Sequence, residues 1–161
     1  MTAAKFLGAT LGLLALGVVT ACSNESEPPS ITHEEATQQY FEEAQKWELA
    51  PGWEWPEDPG YAAENSGDGQ GTVYGPDMGR VDANEFWFCS WASTAVSTDD
   101  KDLVAQSVEE ILKYEETTGY KKSDAGAKEY TDDMLASAAD GDFQTLTEYV
   151  TLNCPANPAN G

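Results

Sequence analysis

Apolar positions along the chain fall into five stretches with helical spacing, separated by segments rich in Gly, Pro and Asp. The first begins at Thr32, whose spacing to Glu35 is that of a capping box, and runs to about Leu49, ahead of Pro51-Gly52. Ala36, Tyr40, Phe41, Ala44 and Trp47 make its apolar face, and Glu42, Glu43 and Glu48 are expected opposite. The second, from Asp82 to Val96 or Ser97, holds Phe86-Trp87-Phe88-Cys89-Ser90-Trp91, apolar around most of its circumference. A helix of that kind must be wrapped by its neighbours, so it is predicted to be the hub. Ser90, Ser93 and Ser97 form its one polar strip, facing solvent or admitting a close neighbour.

Three more helices follow. One runs from Asp99 or Asp100 to Thr117, with Val104, Val108, Ile111 and Leu112 inward and Gly119 as its stop. Another spans Asp124 to Ala139, with Ala127, Tyr130, Met134, Leu135 and Ala138 inward. The last runs from Asp142 to Leu152 around Phe143, Leu146, Tyr149 and Val150. The expected fold is all-α: a compact bundle of about five helices over residues 32–154, with a frayed tail at 155–161.

Between the first two helices, residues 51–80 hold four prolines and many glycines. A segment this long within a compact domain either carries function or is laid over the core. Trp53, Trp55, Tyr61 and Tyr74 suit the second option as covering rings. They are also the candidate ligand-contact residues, as a stacking platform for a sugar or a peptide. Glu64 to Gly71 supplies oxygen ligands and turns of the kind calcium takes, yet lacks the spaced acids and distal Glu of a calcium loop. Gly67, Gly69 and Gly71 are not followed by the Lys-Ser/Thr of a phosphate loop. No cofactor or metal site is expected, and His33, the one histidine, is expected to be exposed and inert.

Composition narrows the partners. The 161 residues carry 8 Lys+Arg against 29 Asp+Glu, a formal net charge of −21. Such a surface repels phosphate backbones, which argues against nucleic acid, and it is repelled by anionic lipid headgroups. The alternatives left are solubility outside the cell, a cation and a basic partner.

The N-terminus has the parts of an export signal over residues 1–21: Lys5, then the uncharged run Phe6 to Val19, too short to span a bilayer. It ends in Val19-Thr20-Ala21-Cys22, which resembles the lipobox of bacterial lipoproteins. That resemblance implies acylation of Cys22 on sulfur, cleavage just before it, and anchoring on the extracytoplasmic face of the cell membrane. Ordinary secretion with a free Cys22 is the other reading. Residues 22–31, with Pro28-Pro29, then act as a tether.

Cys89 and Cys154 remain as an even pair in an exported chain and are expected to bond, two separate buried thiols being the alternative. The stretch Glu85-Phe86-Trp87-Phe88-Cys89-Ser90-Trp91, with Asn153-Cys154 late in the chain, resembles small exported proteins of actinobacteria that share an aromatic-W-F-C-x-W helix. No activity comes with that resemblance. The favoured expectation is a non-enzymatic module of the cell envelope, structural or binding an envelope protein or wall polymer. Its rival is an acid-pair glycoside hydrolase acting on cell-wall polymer.

Overall fold

The computed structural model describes residues 30–61 and 73–156, and the backbone of 65–66 and 70–71. The leader, Cys22, most of the tether and the last five residues lie outside them. Helix α1 spans His33–Ala44, α2 Met78–Ser97, α3 Lys101–Ile111, α4 Thr118–Lys122, α5 Ala125–Ala139 and α6 Gln144–Asn153. A 3-10 turn, Leu112–Glu116, joins α3 to α4. Two short antiparallel segments, β1 (Asn65–Ser66) and β2 (Gln70–Gly71), pair within the connection from α1 to α2. The architecture is the expected all-α bundle, with one short helix more than the five. Among the described residues, no helix is long and apolar enough to cross a membrane.

Local chemistry starts most of these helices. Thr32 and Glu35 form the full capping box of α1, and the carboxylates of Asp100 and Asp124 cap α3 and α5. Helix α2 differs. It starts at Met78, four residues before the expected Asp82, and no side chain caps it. Packing sets this start: Gly79 is buried against α1, and a Cβ there would stand 2.0 Å from the Ala36 carbonyl oxygen. Only glycine lets the two backbones approach so closely.

As expected, α2 is the hub. Trp87, Phe88, Cys89, Trp91 and Ala92 are buried, and α1, α3, α4 and α6 all pack on it. Ser90 is buried as well; its hydroxyl donates to the Trp87 carbonyl at 2.7 Å and accepts from the Ala50 amide at 3.2 Å.

Three expectations about facing and one about a helix stop fail for identifiable reasons. Glu43, expected outside, is 3% exposed, because three donors surround its carboxylate. Leu112 points to solvent, since the change from α to 3-10 winding there turns the helix face. Ala127 and Tyr130 are exposed, because only the second half of α5 buries a face, through Met134, Leu135 and Ala138. Gly119 does not stop α3: Thr117 caps a new helix, its Oγ1 accepting from the Tyr120 amide, and Gly119 lies buried in α4.

Candidate functional site

The segment after α1 is strapped onto α2 by its side chains and its backbone. Trp47 lies against Trp87 with ring centroids 4.4 Å apart. The Trp91 indole N–H donates to the Glu48 carbonyl at 2.8 Å. Trp53 and Trp55 pack on Phe86 at 5.8 and 5.4 Å. Trp53 is only 9% exposed. Tyr61 and Tyr74 pack edge-to-face at 5.2 Å, and the Tyr61 hydroxyl donates to Asp82 at 2.6 Å. Burial, with Asp82 beside it, raises the Tyr61 hydroxyl above its ordinary range. Burial also raises the Asp82 carboxyl, against the lowering effect of the Tyr61 hydrogen bond. These four rings thus divide: Trp53 and Trp55 join the cover over the core, while Tyr61 and Tyr74 close the base of the stretch between them. No flat outward platform is made of the four. The Glu64 to Gly71 stretch lies largely outside the described residues.

Two acid-centred networks tie the helices together, and residue type alone gave no sign of either. The Glu43 carboxylate accepts from Lys46 at 2.6 Å, Trp47 at 3.2 Å and the Asn84 amide at 3.0 Å. Buried Asn84 accepts in turn from the Gly119 amide at 3.1 Å, linking α1, α2 and α4. Burial pushes the Glu43 carboxyl up, but the hydrogen bonds from Lys46, Asn84 and Trp47 and the Lys46 charge outweigh it. The net shift is below its ordinary value. On the other side of α2, Glu85 accepts from the hydroxyls of Tyr114 and Tyr149. Both networks have their partners supplied by the protein, as structural polar groups do.

Cys89 and Cys154 are bonded, with Cα atoms 5.4 Å apart, and join the middle of α2 to the residue that ends α6. The bridge closes a separation of 65 residues. Beside it lies a cleft of about 540 Å³ between the last turns of α2, the end of α6 and the start of the covering segment. Trp53 lies at its wall, with Ser93, Thr94, Ser97 and Thr151 supplying hydroxyls and Pro51 and Pro155 at the sides. Its lining includes no charged residue, in a chain with a net charge of −21. The Thr94 and Thr151 hydroxyls donate to the carbonyls one turn back, so what they can still offer a ligand is acceptor lone pairs. The cleft is in the size range of small-ligand sites and has their chemistry: apolar walls with a few polar groups.

His33 opens α1 and lies 3.6 Å from the Glu34 carboxylate. Its side chain is partly rather than fully exposed. Among the described residues, no three His, Cys, Asp or Glu side chains gather as a metal site. Comparison with protein-family models, with curated proteins and with solved structures finds no match.

Proposed function

We propose that this protein is a lipid-anchored module on the extracytoplasmic face of the membrane, and that its uncharged cleft binds a neutral, hydroxyl-bearing segment of an envelope polymer. The cleft carries the reading. In so acidic a chain the lining of this cleft carries no charged side chain, and it holds a tryptophan and four hydroxyls. Neutral sugars offer hydroxyls to such acceptors and apolar ring faces to such walls. The disulfide supports an oxidising compartment, and Val19-Thr20-Ala21-Cys22 supports the anchor. The rival hydrolase reading needs two carboxylates facing one cleft. This cleft has none along its lining.

Two experiments separate the parts of the proposal. Cys22→Ala is expected to release the protein to the medium or leave it uncleaved; a variant that is still processed and membrane-bound refutes the anchor. For the cleft, amide shifts are followed by NMR during titration with soluble wall glycan fragments. Shifts confined to Ser93, Ser97 and Thr151, and lost in Ser97→Trp, are expected. Ser97 is exposed, so the added ring fills the cleft without entering the core. An unresponsive spectrum, or shifts elsewhere, refutes the binding site.

A further inference from the structure

The body also has an end at which the tether arrives, and its chemistry differs from the rest of the surface. Ile31, the last residue of the expected tether, bridges to Tyr74 through two backbone hydrogen bonds of 2.9 Å. The neighbouring Val73 is 64% exposed and Met78 is 38% exposed. Met78 and Val81, with Gly75 and Pro76, line a shallow hollow of about 250 Å³ whose rim holds Asp77 and Lys122.

Two of the chain's eight basic residues, Arg80 and Lys122, gather here. Asp77 is paired with Lys122 at 2.7 Å and with Arg80 at 3.0 Å, and Arg80 lies 3.9 Å from Glu42. These two cations meet Asp77 and Glu42, with Glu35 on the same side as Arg80, in a chain whose acids outnumber its bases 29 to 8. Hydrogen bonding to Lys122 is the main reason the Asp77 carboxyl is held below its ordinary range, so it stays ionised and paired. Anionic lipid repels an acidic body, and the repulsion is eased at an end where two cations stand beside exposed apolar side chains.

We infer that this end of the body is a membrane seat: Val73, Met78 and the hollow around Val81 rest in the headgroup layer of the bilayer that holds the anchor. The inference depends on the lipid-anchor reading. Eight residues, Ser23 to Ser30, separate Cys22 from Ile31, so a fully extended tether reaches only about 30 Å. That length leaves the seat within reach of the bilayer. The seat also orients the cleft. Val81 is in the first turns of α2 and Ser97 is its last residue. At 1.5 Å per residue, the helix separates the two sites by about 24 Å. The body would stand on one end of α2 and present its uncharged cleft at the other, toward the wall.

Met78 supplies the readout. It is the exposed methionine among the described residues, whereas Met134 is buried at 2% and reports on the fold. Lipidated protein in phosphatidylglycerol–phosphatidylethanolamine vesicles is treated with peroxide, and sulfoxide at each methionine is followed by mass spectrometry. The Cys22→Ala chain in vesicle-free buffer gives the reference rate. Met78 oxidation is expected to slow several-fold on vesicles, and Val73→Asp to restore the free rate while the protein still floats with lipid. Floating protein whose Met78 reacts at the free rate overturns the seat and leaves the anchor standing. Protein that does not float overturns both. Met78 protection that grows with protein concentration in the absence of vesicles assigns the patch to a second copy of the chain, and also overturns the seat.

Discussion

Replacing Gly79 by alanine tests the packing on which the bundle depends. An added Cβ would lie 2.0 Å from the Ala36 carbonyl oxygen and 2.8 Å from the Tyr40 amide nitrogen. Ordinary contact begins near 3.4 Å, so roughly 1.4 Å of separation is missing at the carbonyl. Those two atoms are backbone within α1 and the third obstructing atom is the Gln39 Cβ at 2.8 Å, so no rotamer change relieves the clash and one helix must move. Overpacking of this kind costs about 3 kcal/mol at the upper end of its usual range. Alanine recovers at most about 1 kcal/mol through better helix propensity, which leaves a net loss of about 2 kcal/mol. For a body of this size, that lowers the midpoint by about 8 °C. Gly126→Ala is the control, since a Cβ there meets only the Asp124 carboxylate at 3.5 Å. It should gain about 0.5 kcal/mol. Calorimetry of the two variants should give shifts of opposite sign. A Gly79→Ala protein as stable as the parent would refute the close approach of α1 and α2.

Other substitutions address the core, the bridge and the buried acid. Trp87→Ala empties the site beneath Trp47 and should cost about 3–5 kcal/mol in denaturant unfolding; a midpoint unchanged from the parent would put that ring outside the core. Removing the disulfide with Cys89→Ala plus Cys154→Ala frees a long loop in the unfolded chain and should cost about 4 kcal/mol, read as the gap between oxidised parent and variant melting. Glu43→Gln should cost about 1–3 kcal/mol near neutral pH by weakening bonds to Lys46, Trp47 and Asn84. Because the folded Glu43 carboxyl sits below its ordinary value of 4.5, its stabilisation is complete above that pH and is lost as pH falls below it. The gap between parent and Glu43→Gln should therefore close in acid, and a gap constant across that range would contradict the assignment.

How much of this was legible depended on how local the cause was. Capping chemistry lies within four residues, so the starts of α1, α3 and α5 could be placed from Thr32, Asp100 and Asp124. The ring-laden run at 86–91 could only be a core, and the even cysteine pair left beside Cys22, with the expectation of export, pointed to the bridge. Causes far along the chain stayed hidden. Gly79 reads locally as loop, and only the backbone of α1 explains it as helix. Glu43 falls on the helical face of Tyr40 and Trp47, so its position was readable; its charge argued the other way, because Asn84 lies 41 residues on. The cleft combines a serine strip seen on α2 with Thr151, Pro155 and Pro51, brought there by the fold of the whole chain.

The bridge has properties that fit a clasp rather than a redox device. Cys89 is fully buried, and a Glu85 oxygen lies 3.8 Å from its sulfur, while Cys154 is partly exposed. An attacking thiolate can reach only the partly exposed Cys154, and it must expel Cys89 as a thiolate into a buried site beside the Glu85 side chain. Desolvation and like charge both raise the energy of that leaving group, which slows exchange. The same carboxylate is held by the hydroxyls of Tyr114 and Tyr149, so it cannot swing away. Glu85 thereby acts on two levels: it fastens α6 and the turn after α3 to the hub, and it protects the sulfur that fastens them again. The cleft forms where α6 meets α2 beside that bridge. On the proposed reading of a protein held outside the cell, the cleft is well served by a bridge that resists exchange and by walls whose hydroxyl chemistry is indifferent to salt.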